Sequence, residues 1–222
     1  MCGQYRLTVA PEILHEQFGT VEIEAFPPRP LILPNEPVLI VRREEDGRRH
    51  LRHVLWGLIP AWVKDARQMR RIINARAETL TEKPSFRGAV RHRRCLVPAD
   101  GFYEWSGARG RRRAHLFTRS DGAPFAMAGL WECWMDADGG EIETMAIITL
   151  AANADVAPVH ERMPAILREE SWDAWLDVRG VRDREAARLL KPAPEGFLRR
   201  REAGASLPEL RGEKDERPPR LL

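Results

Sequence analysis

At 222 residues the chain is long enough for one large domain or two small ones, with a substantial buried core. A composition of 43% hydrophobic and 31% charged residues excludes a disordered chain, and no apolar run approaches the length of a membrane helix. The net charge of +3 rests mostly on arginine, clustered in RRIINAR, RHRR, GARGRRR and LRRR. Guanidinium groups match phosphate geometry and stack on bases, so these clusters suit nucleic acid, although a solvated arginine-rich face would look the same.

The opening MCGQYRL has no basic region followed by an apolar stretch, so no signal peptide is expected. Pro11 to Phe18 reads as a helix. Strands are expected at Val38 to Val41, His53 to Leu58, Arg94 to Val97 and Gly101 to Trp105. Further strands are expected at His115 to Thr118, Phe125 to Trp131 and Thr144 to Leu150. Turn signals separate several of them: Asp46-Gly47, Ser106-Gly107, Asp121-Gly122 and Gly139-Gly140. Two more helices are expected at Ser171 to Asp177, with Ser171 as N-cap, and at Asp183 to Leu190. Strands outnumber helices and few strand–helix–strand units occur. The pattern predicts a single α+β domain over residues 1–198, with a curved or barrel-like, mostly antiparallel sheet and flanking helices. Residues 199–222, ending EKDERPPRLL, read as a loose charged tail.

Three widely spaced cysteines form no disulfide framework, and a reducing cytoplasm is the expected compartment, at the nucleoid if the source is bacterial. Cys2 stands out by position. Removal of Met1 would leave a residue with two nucleophiles, an α-amine of pKa about 8 and a thiol of about 8.5. Gly3 then allows close approach of backbone or substrate. A chance cysteine at a frayed terminus is the alternative.

Asn74, in RIINARAETL, offers both a donor and an acceptor, enough to hold an amine and a carbonyl together. On a strand Arg76 would point the same way and could grip a phosphate; on an exposed helix or turn both would be ordinary polar residues. Glu104 lies between Tyr103 and Trp105 in ADGFYEW. Apolar surroundings raise a carboxyl pKa and suit a general acid, unless the side chain faces outward. His160 sits in PVHERMPAIL before a Met-Pro pair, a loop setting that suits acid–base work. The remaining histidines, His15, His50, His53, His92 and His115, read as surface or packing residues, and Cys95 and Cys133 as inert core thiols. A zinc site from Cys2, Cys95, Cys133 and His160 lacks paired ligand spacing, so no metal is expected.

Together, MCG, WGLIPAW, INARAET, CLVPADGFYEW and PVHERMP, in this order, resemble the SRAP family, the SOS-response-associated peptidases now regarded as abasic-site processing proteins. The resemblance runs from Met1 to about Leu176. It implies that the mature N-terminal cysteine forms a thiazolidine crosslink with the aldehyde of an abasic site in single-stranded DNA. It places Cys2, Asn74, Glu104 and His160 at active-site positions, and Arg76 and Arg162 at DNA-contacting ones. Trp62 of WGLIPAW would wedge or stack against bases. The family's older name implies autoproteolysis as removal of the residue before Cys2. A monomer acting on DNA, without membrane or cofactor, is expected.

The sequence departs from that pattern in three places. Gln4 replaces a frequent arginine, Pro30 and Leu31 replace a Tyr-Asn pair within Arg29 to Val38, and the ending after Leu190 differs. Two rival functions remain at this level. A class II glutamine amidotransferase also uses an N-terminal cysteine, but would leave ADGFYEW and HERMP unexplained. A non-catalytic single-strand-binding module would use arginines and tryptophans without a covalent bond.

Overall fold

Apolar runs of alternating and continuous burial fold into two sheets flanked by short helices, an α+β architecture. The computed structural model describes residues 2–108, 111–136 and 138–203. In chain order the first strands are β1 (Tyr5–Leu7), β2 (Arg29–Ile32), β3 (Pro37–Arg43), β4 (Arg49–Trp56) and β5 (Asn74–Arg76). Next come β6 (Arg94–Ala99), β7 (Gly101–Ser106), β8 (Arg113–Arg119), β9 (Phe125–Met135) and β10 (Glu141–Ala151). The last are β11 (Arg162–Pro164), β12 (Ile166–Leu167) and β13 (Leu198–Glu202). The helices are α1 (Pro11–Phe18), α2 (Pro84–His92), α3 (Trp172–Leu176) and α4 (Asp183–Ala187).

Five strands close on themselves. β10 pairs with β4 in parallel and with β9 antiparallel, while β4–β3, β3–β6 and β6–β9 are antiparallel. Closure removes the unpaired edges that an open sheet exposes. β5 and β11 add to β10, and β12 to β9. Every residue of β6 is buried, which explains the near-continuous apolar reading of that strand. Gly129 of β9 is needed there: a Cβ would come within 2.8 Å of both the Cys95 sulfur and a Val97 methyl. The second sheet is antiparallel, in the order β13-β8-β7-β1-β2.

The expected strands at β3, β4 and β6 to β10 are present, mostly longer than anticipated, and α1 spans the expected residues. Pro11 occupies its first turn, where the missing N–H costs nothing, and Gly19 ends it in the left-handed region. Ser171 does stand at the N-cap of α3 but makes no capping bond, and the helix stops at Leu176. The helix from Asp183 ends at Ala187, short of Leu190. Helix α2 is an addition. Its polar sequence, PSFRGAVRH, buries only Phe86, Ala89 and Val90, a stripe at spacings of three and four. The chain read as a tail from Arg199 begins as β13, whose five residues pair with β8 from Leu198↔Arg119 to Glu202↔His115. Residues 204–222 lie outside the described part.

Arg94 is the one buried cation of β6. It donates to the carbonyls of Val90, Trp175, Asp177 and Val181, binding α2, α3 and the loop after α3 to the barrel. Burial lowers its pKa to about 10. Buried tryptophans satisfy their ring N–H in the same way: Trp56 on Ile73, Trp172 on Leu167 and Trp175 on Cys95. His50, read as surface or packing, is buried between the Glu22 and Asp46 carboxylates, at 2.8 and 2.9 Å. No helix among the described residues is long and apolar enough to cross a membrane.

Candidate active site

The leading segment of the chain enters the interior beside β7. The register pairs Tyr5 with Phe102 and Arg6 with Gly101, and the Tyr103 N–H donates to the Gln4 carbonyl at 2.9 Å. Continued by two residues, it sets Gly3 opposite Glu104, with Cys2 one residue beyond. Asp100 anchors this segment: its carboxylate meets Arg6 at 2.8 Å and accepts from the Thr8 N–H and hydroxyl at 2.6 Å. Cys2 is fully buried. Burial, reinforced by the Glu104 charge, pushes its thiol well above the ordinary range.

Asn74 comes from the barrel. β5 runs parallel to β10, with Asn74 beside Ile147 and Arg76 beside Thr149. The Asn74 amide nitrogen donates to the Cys2 carbonyl at 2.8 Å, while its buried oxygen has no hydrogen-bond partner among the described residues. Arg76 shares that strand face, two residues on. It is exposed, and its side chain makes no hydrogen bond or ion pair among the described residues.

Glu104 is 2% exposed on β7. Burial pushes its carboxyl up to about 7, so near neutral pH it exchanges a proton readily. Its cross-strand neighbour is His115, whose Nε2 lies 2.7 Å from the Ser106 hydroxyl. His115 reads as a surface or packing residue in the sequence; only the β7–β8 register puts it beside the acid.

His160 closes the loop between β10 and β11. Its backbone N–H donates to the Val156 carbonyl, and its Nδ1 accepts from the Arg162 N–H at 2.9 Å. Nδ1 is thereby the acceptor, which leaves the proton of the neutral ring on Nε2. Burial lowers the pKa of the ring. Arg162 differs from Arg76. Its guanidinium makes a two-pronged ion pair with Glu78, at 2.5 and 3.0 Å, and donates to the Thr149 carbonyl at 2.7 Å. Glu78 carries no signal in the sequence beyond its place in INARAET.

Trp62 is 63% exposed in the loop after β4. The loop is fixed at its base by reciprocal backbone bonds between Leu58 and Ile72 and by Trp134, which donates to the Val63 carbonyl. Gly57, at φ 144°, allows this base to form, since a Cβ there would lie 2.9 Å from that of Arg71. The departures in sequence have local partners. Gln4 accepts from the Trp105 ring N–H at 2.9 Å, and the Pro30 carbonyl accepts from the Tyr103 hydroxyl at 2.8 Å. Cys95 is buried, but Cys133, read as a core thiol, is only half-buried. Among the described residues no group of three or more His, Cys, Asp or Glu side chains could hold a metal.

The fold and site define a closed-barrel α+β protein built around a buried cysteine next to the amino terminus, with an amide and a carboxyl group from separate sheets beside it. Residues 1–205 match the family described as "SOS response associated peptidase (SRAP)", and the chain belongs to that family. It is 35% identical over 196 residues to "Abasic site processing protein YoqW" of Bacillus subtilis, covering 86% of this chain and 87% of that one. It is 34% identical over 186 residues to "Abasic site processing protein HMCES" of Gallus gallus, covering 71% of this chain and 55% of that longer one. A crystal structure of a protein from Bacteroides thetaiotaomicron superposes with a TM-score of 0.81 at 27% identity, covering 90% of this chain and 91% of that one.

Proposed function

We propose that this protein traps abasic sites in single-stranded DNA as a covalent thiazolidine on Cys2, after Met1 is removed. The observation that carries this reading is the convergence on Cys2 of Asn74 and Glu104 from different sheets. The names of the similar proteins support the substrate class.

Ring-opened abasic deoxyribose presents an aldehyde. The Cys2 amine adds to it, giving a carbinolamine, and the hydroxyl leaves as water when an acid protonates it. Glu104, held near neutrality in its proton exchange, supplies that proton and recovers it from the nitrogen. The thiol then adds to the imine carbon, its proton passing to the nitrogen, and a five-membered ring closes. Overall, amine, thiol and aldehyde give the ring plus one water. A buried thiol held in its protonated form is no obstacle, because the imine nitrogen accepts the proton as the bond forms. Asn74 fixes the Cys2 backbone, and His160, with Nε2–H, exchanges protons with the sugar oxygen. Arg76 holds a phosphate, and Trp62 stacks on a base. The protein acts as a monomer and needs no cofactor.

The test is a denaturing gel after incubation with single-stranded oligonucleotides with and without an abasic site. A heat-stable shifted band with the abasic strand alone is expected. No band with either strand would overturn the proposal, and glutaminase activity in its place would assign the cysteine to amide hydrolysis.

A further inference from the structure

Glu78 stands in the middle of the surface to which DNA phosphates are assigned. It follows Arg76 by two residues and reaches across β10 to Arg162, which it grips with both carboxylate oxygens at 2.5 and 3.0 Å. The two residues differ in burial: the Arg162 side chain is 14% exposed and that of Glu78 is 52% exposed. The carboxylate therefore covers the guanidinium on its solvent side. Nη2 of Arg162 also donates to the Thr149 carbonyl at 2.7 Å, and its buried Nε makes no hydrogen bond among the described residues. The Arg162 pairing and the positive charge of Arg76 both hold Glu78 ionised, below the usual carboxylate range.

We infer that Glu78 is a specificity-determining residue that occupies Arg162 and so weakens the grip of the site on undamaged single-stranded DNA. The inference rests on the function proposed above and deepens it. A phosphate that reached Arg162 would have to displace a two-pronged carboxylate, the strongest geometry an arginine offers a partner. It would also meet the Glu78 charge, an element that acts against every strand regardless of sequence. With Arg162 occupied, reversible binding draws on Arg76 and on stacking, and prolonged retention depends on the aldehyde that Cys2 attacks. Undamaged strands offer no aldehyde and leave quickly.

The experiment measures binding of an undamaged single-stranded oligonucleotide by fluorescence anisotropy across a range of salt concentrations. It compares the wild type, Glu78→Gln, Arg162→Ala and the double variant. Glu78 is exposed, so its replacement leaves the core intact. Glu78→Gln should bind about threefold to tenfold more tightly at low salt, and its log–log salt slope should steepen by about 0.7, the value of one added phosphate contact on a single strand. The double variant should lose that gain. Unchanged or weaker binding by Glu78→Gln, or a gain that persists without Arg162, would overturn the inference while leaving the crosslinking reaction in place. A wild type that neither binds nor crosslinks single-stranded DNA would overturn both.

Discussion

The Asn74 side chain donates to the Cys2 carbonyl at 2.8 Å, tying a strand on the barrel to the segment that leads into the other sheet. This contact spans 72 positions in sequence and sets the proposed nucleophile against the barrel wall. Asn74→Ala removes the donor and frees the Cys2 backbone to rotate. Crosslinking should slow about a hundredfold, the usual cost of misplacing a reacting group by about an ångström. Affinity for undamaged DNA should stay within about twofold. Single-turnover crosslinking beside anisotropy separates the two, and equal losses in both would mean that Asn74 serves binding instead.

Glu104 should leave two pH signatures. As an acid it must be protonated when the hydroxyl departs, so the wild-type rate should pass through a maximum and fall on the alkaline side. Glu104→Gln should be about a hundredfold slower at the maximum and should rise to a plateau as the amine loses its proton. Stability gives the second signature. The folded carboxyl, raised to about 7, stands above its unfolded value near 4.3. Burial of the neutral acid therefore costs nothing extra below about pH 4, and stability is lost progressively as pH rises through 7. The loss is on the order of 3 kcal/mol at full ionisation. Thermal unfolding should show Glu104→Gln overtaking the wild type above neutral pH, and parallel curves would show that Glu104 is solvated.

Arg76 and Arg162 should separate. The Arg76 side chain is exposed and makes no hydrogen bond or ion pair among the described residues, so Arg76→Ala should weaken binding and flatten the salt slope by about 0.7. Arg162 is already occupied by Glu78 and Thr149, so Arg162→Ala should change the slope little. It should slow crosslinking instead, because the guanidinium contacts to Glu78 and Thr149 hold in place the Arg162 backbone N–H that fixes the His160 ring. Equal slope changes in the two variants would place both guanidinium groups on phosphates.

Arg94→Met should destabilise the fold by about 3 kcal/mol or more, since the carbonyls of Val90, Trp175, Asp177 and Val181 lose their shared donor. Denaturant unfolding measures this. Crosslinking by the folded fraction should match the wild type, because the side-chain hydrogen bonds of Arg94 all go to carbonyls of α2, α3 and the loop after α3.

The barrel strands were legible because β3, β6, β9 and β10 carry long apolar or alternating runs whose burial needs no knowledge of their partners. β5 was not, since three residues show no period; Asn74 and Arg76 share a face there only because β10 holds them extended. β13 was hidden for a different reason. LRRRE looks like solvated chain, and its strand character comes from backbone pairing with β8 while four of its five residues remain exposed. Cys2, Asn74, Glu104 and His160 were marked by residue chemistry and by resemblance. Their partners were not: Glu78 and His115 acquire meaning only through contacts or register across strands.

The central claim is that the mature Cys2 joins its amine and thiol to one aldehyde carbon, and intact mass spectrometry of the denatured adduct tests it most directly. The wild type incubated with an abasic oligonucleotide should show a species at the sum of the Met1-less protein and the DNA, less one water, stable without reductant. Fragmentation should place the added mass on Cys2, and Cys2→Ala should give no such species unless a reductant traps the imine. An adduct on a lysine, or an undiminished, reductant-independent adduct from Cys2→Ala, would contradict it.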